Sequence, residues 1–151
     1  MTVLDELPEA PKLNVKILAT DIDPRVVATA KEATYSNAEI AGIPEPMKDR
    51  YLKKHSVKGG QYQVVDDVRS LISFGVLNLM EKLPVSGPFD AIFCRNVAIY
   101  FDAATQVGVW SKFIDLLGRD RCLFIGHSEQ IVGPSKERVK RIGPTSFLKL
   151  A

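Results

Sequence analysis

FDAIFCRNVAIYFD, residues 89–102, decides how the rest of the chain is read. Its first six residues form an apolar run that reads as a buried strand. Arg95 and Asn96 then interrupt the run where the strand should end. A guanidinium and an amide do not continue a buried strand without partners, since an unpaired polar group costs about 2–7 kcal/mol in an apolar interior. Beyond them, Asp102 is a good N-cap for a helix over 103–117. Val107, Trp110, Phe113, Ile114 and Leu117 fall on one face of that helix, and Gly118 fits its C-terminal stop. RCLFIG (121–126) is the next apolar strand. Strand, polar turn, helix and strand in this order form the repeating unit of a parallel sheet.

The flanking sequence extends that pattern. VKILAT (15–20) is a short apolar strand ending at Asp21. Asp23 and Pro24 then open a helix whose apolar stripe is Val26, Val27 and Ala30. The next stretch is irregular. Ser36 and Glu39 have capping-box spacing, but Gly42, Pro44 and Pro46 punctuate soon after. PMKDRYLKKH (46–55) suits one or two helical turns, and HSVKGGQYQVVDD (55–67) a turn at Gly59-Gly60 between strands. RSLISFGVLNL (69–79) reads as strand and then loop. A small antiparallel β element is expected here, spanning 35–74. VKRIGPTSFLKL (139–150) suggests a terminal hairpin around Gly143-Pro144. The order predicts a mostly parallel α/β sheet.

Bulk properties narrow the class without naming a function. At 151 residues, with 46% hydrophobic and 25% charged, the chain suits one domain with a real core. It contains no run of about 18 apolar residues, so a membrane span is not expected. Its first residues lack a basic segment followed by an apolar one, so no secretion signal is read there. A net charge of +2 argues neither for nor against nucleic acid. Lys48, Arg50, Lys53, Lys54 and Lys58 cluster around His55; Lys136, Arg138, Lys140 and Arg141 form a second cluster. Cys94 and Cys122 sit in apolar runs and read as buried reduced thiols, with no metal or redox spacing.

Ligands of open α/β sheets bind beyond the carboxyl ends of the strands. Three sets of polar residues lie at such ends. Asp21 follows VKILAT; a carboxylate there can accept both hydroxyls of a ribose, or merely cap the turn. Asn78-Leu79, in GVLNLMEK, offers an amide and an apolar neighbour for an adenine ring, or a loop amide bonding its own backbone. Arg95, Asn96 and Tyr100 form the third set, with a strand-end ion pair and a packed tyrosine as the plainer alternative. His127 reads as a structural tie between the strand end and the Arg95-Asn96 turn.

ATDID, NLMEK, GPFDAIFCRNVAIYFD, GHSE and the terminal PTSF segment together resemble the chemotaxis receptor methyltransferases of the CheR type. The likeness runs in order from about residue 18 onward. It implies a Rossmann-like α/β sheet that uses S-adenosyl-L-methionine, releases S-adenosyl-L-homocysteine and methylates glutamate side chains of chemoreceptor cytoplasmic helices. It implies that Asp21 binds the ribose hydroxyls, that Asn78 and Leu79 contact adenine, and that Arg95, Asn96 and Tyr100 line the cofactor and substrate side. Tyr100 and Arg95 are then the candidate catalytic residues. The segment 35–74 would be the family's inserted β-subdomain, which docks on the receptor and in some members holds a receptor C-terminal tail. Where the family is usually bulkier, this chain has Ala98. A cytoplasmic protein is implied, with no nucleic-acid partner and no membrane insertion.

The resemblance also implies segments that do not precede VKILAT: a small helical domain, then a strand with a glycine-containing turn. A C-terminal part of the family's architecture, with the first strand of its sheet missing, is the expectation. Three arrangements would cover the exposed strand edges. VKILAT pairs with FDAIFC, MTVLDEL (1–7) supplies a strand, or two chains exchange elements into a dimer. The competing functional class is a catalytically incomplete module that docks on a receptor or another protein.

Overall fold

The computed structural model describes residues 1–55 and 59–150. The chain forms two compact units, Met1–Leu77, with two small sheets, and Asn78–Ala151, with one, each with its own core.

In the first unit, helix α1 (Thr2–Glu6) precedes strand β1 (Ile17–Asp21) and helix α2 (Pro24–Glu32). Asp23 caps α2 as expected: its side chain accepts from the Arg25 N–H at 2.8 Å, with Pro24 at the first helical position. Ala33, at φ 52°, ends α2 in the left-handed region and turns the chain into β2 (Thr34–Ser36). Helix α3 (Glu45–Tyr51), β3 (Leu52–Lys54), β4 (Gln61–Val64), α4 (Asp66–Arg69) and β5 (Ile72–Val76) follow. β1 and β5 pair in parallel, from Ile17 opposite Ile72 to Asp21 opposite Val76. β2, β4 and β3 form a separate antiparallel sheet in that order.

Two features of this unit bear on the reading of the sequence. The antiparallel sheet occupies residues 34–64, whereas Ile72 and Phe74, inside the expected 35–74 segment, belong to the parallel pair. MTVLDEL is helical rather than a strand. Leu4 is buried with Ala10, Tyr51, Val68 and Leu71, and Asp5 accepts from the Tyr51 hydroxyl at 2.7 Å and from Arg50 at 3.1 Å. One apolar side chain per turn and a polar tie suit a short helix on a core, not a pleated edge. The Ser36–Glu39 pair forms as spaced, with the Ser36 N–H and hydroxyl both donating to Glu39 at 2.8 and 2.7 Å, yet the following residues make turns instead of a helix. Gly42, Pro44 and Pro46 stop propagation before a second turn is complete.

The second unit is built on β6 (Phe89–Cys94), a 3-10 turn (Ala98–Tyr100), α5 (Ala103–Leu116), β7 (Leu117–Ile125), a second 3-10 turn (Gly133–Arg138), β8 (Val139–Gly143) and β9 (Ser146–Lys149). β6 and β7 are parallel; β9 adds antiparallel to β7 and β8 antiparallel to β9, as the predicted hairpin, giving the order β6-β7-β9-β8. Asp102 caps α5 through the Thr105 N–H at 2.7 Å. Trp110, Ile114, Leu123, Ile125 and Val109 are almost wholly buried and fill the space between α5 and the sheet. Full burial of one aliphatic chain of this size is worth about 1.5–3 kcal/mol.

Two details differ from the reading of the sequence. Gly118 does not cap α5: Leu117 is already extended (φ −70°, ψ 142°), and β7 starts there. The irregularity lies further on, where the β6–β7 register shifts and Asp120 adopts φ 56°. FDAIFC is also less buried than its composition suggests. Only Cys94 is buried, and Phe93 is 71% exposed, because β6 is an edge strand of its sheet. Phe93 covers one face by stacking on Phe124 of β7, with ring centroids 4.5 Å apart.

Candidate functional site

In the first unit, β1 delivers Asp21 to its carboxyl end. Asp21 is exposed. Its Oδ1 accepts from the Asp23 N–H at 2.8 Å, and its carbonyl accepts from the Leu77 N–H at 2.9 Å, which fixes the start of the chain beyond β5. Oδ2 has no partner among the described residues. Helix capping falls to Asp23, whose carboxyl is held below its usual range by the Arg25 side chain and N–H. Asp21 is thus a held carboxylate with one oxygen open, an acceptor for the hydroxyls of a vicinal diol.

In the second unit, Asn78 and Leu79 open the loop that leads to β6. The Asn78 Oδ1 accepts from the Met80 N–H at 3.0 Å, and its Nδ2 donates to Glu81 at 2.9 Å. The plainer reading, an amide turned onto its own loop, therefore holds. Each amide atom keeps a second hydrogen-bonding direction for a ligand. Leu79 is half-buried against the main core. Lys112 of α5 reaches this loop, and its Nζ donates to the carbonyls of Leu79, Met80 and Glu81 at 2.9, 3.2 and 2.7 Å.

The stretch beyond β6 is organised by Glu129, which sequence reasoning missed. Glu129 is only 7% exposed. Its Oε1 accepts from the N–H groups of Val97 and Ala98 at 2.9 and 2.7 Å, and its Oε2 accepts from the Gly126 N–H at 2.6 Å. One carboxylate thereby joins the turn after β6 to the loop after β7. His127, the residue the sequence suggests for that tie, is exposed. The signal was present in GHSE, whose last residue is an acid close to a strand end. Asn96 has φ 59°, a left-handed conformation that asparagine tolerates better than most residues. Gly126 faces it so closely that a Cβ would lie 2.7 Å from the Asn96 Oδ1 and 2.8 Å from the Glu129 Oε2.

This bracing presents Arg95, Asn96 and Tyr100 to solvent on one short stretch. Tyr100 is 81% exposed, and Arg95 makes no ion pair among the described residues. The strand-end ion pair and the packed tyrosine are both absent there. A hollow of about 330 Å3 beside the turn is lined by Ala98, Ile99, Gln106, Ser128, Gln130 and Val132 along with Glu129, and by none of the three polar residues. Cys94, at the end of β6, is buried; burial first, and the Glu129 charge second, push its thiol up to about 12. It is a free thiol held protonated, not a nucleophile.

Asp21 belongs to one unit, and Asn78, Leu79, Arg95, Asn96 and Tyr100 to the other, so each set is positioned by its own core. In open α/β sheets ligands bind beyond the carboxyl ends of the strands, and within each unit these groups stand at such an end. Residues 1–147 match the family described as CheR methyltransferase, SAM binding domain, and the chain belongs to that family. The family's methyl donor is S-adenosylmethionine.

A probable chemotaxis protein methyltransferase of Rhizobium etli is 40% identical over 148 residues, covering 97% of this chain and 55% of that protein. The chemotaxis protein methyltransferase of Borreliella burgdorferi is 40% identical over 150 residues, covering 97% and 52%. That of Escherichia coli is 39% identical over 131 residues, covering 85% and 46%. The chain spans about half the length of the curated relatives it matches. A solved protein of Pyrococcus horikoshii aligns with a TM-score of 0.45 at 12% identity, covering 89% of this chain and 69% of that one, too weak a likeness to bear on the fold.

Proposed function

We propose that this chain binds S-adenosylmethionine and serves the methylation of glutamate side chains on the cytoplasmic helices of chemoreceptors. The observation that carries the reading is the family match over residues 1–147, supported by the names of the relatives. The whole sequence would then be a part of the methyltransferase domain, with the antiparallel β2-β4-β3 sheet as its receptor-docking element and a receptor C-terminal tail as a further partner. The setting is cytoplasmic; no helix among the described residues is long and apolar enough to cross a membrane.

S-adenosylmethionine, when bound, supplies an electrophilic methyl group, and S-adenosylhomocysteine remains. The residues of the chain bind and orient. Asp21 takes the ribose hydroxyls, Asn78 and Leu79 take the adenine, and Asn96 faces the cofactor. Tyr100 holds the acceptor carboxylate through its hydroxyl, and Arg95 offsets the carboxylate charge. A glutamate side chain is ionised near neutral pH, so no general base is required. Alignment of bound partners can supply roughly 7–11 kcal/mol of such a reaction's barrier.

The test is transfer of radiolabelled methyl groups to receptor-containing membranes by the purified chain. Labelling that falls at least tenfold in Tyr100→Phe supports the assignment. A wild-type rate in that variant removes the hydroxyl from the mechanism, and the absence of labelling with any receptor contradicts the catalytic reading.

A further inference from the structure

We infer that Lys112 is a positioning residue for the adenine-binding loop. The inference rests on the cofactor reading above and adds to it a residue of α5. Three carbonyls, those of Leu79, Met80 and Glu81, converge on the Lys112 Nζ within 3.2 Å. An ammonium has three N–H donors, so this arrangement uses its full capacity. Such a use is unlike a surface lysine, whose charge is ordinarily solvated.

The consequence falls on the residues assigned to adenine. Leu79 is itself one of the bound carbonyls, and Met80 donates its N–H to the Asn78 Oδ1 while its carbonyl accepts from Lys112. Glu81 receives the Asn78 amide on its side chain and Lys112 on its carbonyl. Both hydrogen bonds that orient the Asn78 amide therefore end on residues pinned by the ammonium. Without it, the three carbonyls lose their shared donor and turn to water, and the loop loses the tie that holds Asn78 in its orientation. Lys112 touches no ligand in this arrangement; it pre-orders the loop, so that cofactor binding does not have to order it.

Calorimetric titration of the whole chain with S-adenosylhomocysteine and, separately, with adenosine tests the inference. Lys112→Met keeps the aliphatic stem and is expected to bind both ligands about tenfold more weakly, at a melting temperature near that of wild type. Equal weakening of both ligands locates the effect at the adenosine end. Lys112→Arg, which retains a cation with several donors, is expected to recover most of the affinity, a recovery that loss of packing alone does not predict. Backbone hydrogen exchange over residues 79–82 gives the same answer without a ligand: exchange rises in Lys112→Met and not in Lys112→Arg. Affinity of Lys112→Met within twofold of wild type, or unchanged exchange, overturns the assignment. Failure of the wild-type chain to bind either ligand strikes at the cofactor reading instead.

Discussion

At Glu129 a single carboxylate satisfies three backbone N–H groups from two loops. Glu129→Ala orphans all three in a buried place. Since a buried unsatisfied donor costs about 1–3 kcal/mol, the variant is expected to lose on the order of 3 kcal/mol or more in urea denaturation, and Glu129→Gln, which keeps one acceptor oxygen, less. Gly126→Ala probes the same joint from the other side. Its Cβ would press on the Asn96 Oδ1 at 2.7 Å and on the Asn96 N at 3.0 Å, with an expected loss of about 1–3 kcal/mol. Arg95 and Asn96 interrupt the apolar run for two different reasons. Asn96 stands where the backbone takes a left-handed turn, and Arg95 stands exposed, free for a ligand. Their polarity was legible in the sequence. Their bracing by Glu129 was legible only as an acid near a strand end in GHSE, since nothing local says which backbone N–H groups that acid takes.

Cys94 belongs to the same scale and carries a pH dependence. Its thiol is raised to about 12 in the fold, against about 8.5 for a free thiol. The folded chain keeps this proton where the unfolded chain has lost it. The contribution is therefore whole below about pH 8.5 and is lost as pH rises toward about 12. Denaturation midpoints measured across that window should fall more steeply in wild type than in Cys94→Ala; parallel slopes would contradict the burial argument.

At the scale of elements, the caps and apolar faces written in the sequence do most of the positioning. Asp23 and Asp102 both cap as their spacing indicates. The Thr105 N–H holds the Asp102 carboxyl below its usual range, so this cap contributes above the unfolded carboxylate range and is lost as pH falls through the folded value. Asp102→Ala should lower the melting temperature near neutral pH and matter less in acid. Trp110→Ala, in the centre of the α5 face, should cost about 3–5 kcal/mol. What the sequence concealed is tertiary. Nothing local distinguishes Gly118 as a strand residue from Gly118 as a helix stop, since the β6–β7 register makes that choice. Nor does ISFGV announce that it pairs in parallel with β1 and not with the antiparallel strands next to it in sequence.

On the whole-molecule scale, the two units carry the proposed binding groups separately. Of the first basic cluster, Lys48 pairs with Glu45 and Arg50 with Asp5, which leaves Lys53 and Lys54 exposed on β3; Lys58 lies outside the described residues. If these lysines steer an acidic receptor helix, methylation should slow as salt is raised, and a Lys53→Gln, Lys54→Gln pair should flatten that dependence. The most direct test of the account is simpler than any receptor assay. S-adenosylhomocysteine is titrated calorimetrically into the wild-type chain and into Asp21→Ala, which loses the carboxylate assigned to the ribose. Saturable one-site binding, weakened about tenfold or more in the variant, is the predicted result, in keeping with about 1.5–3 kcal/mol for hydrogen bonds to a charged group. No saturable heat with wild type, or equal affinity in the two proteins, would contradict it.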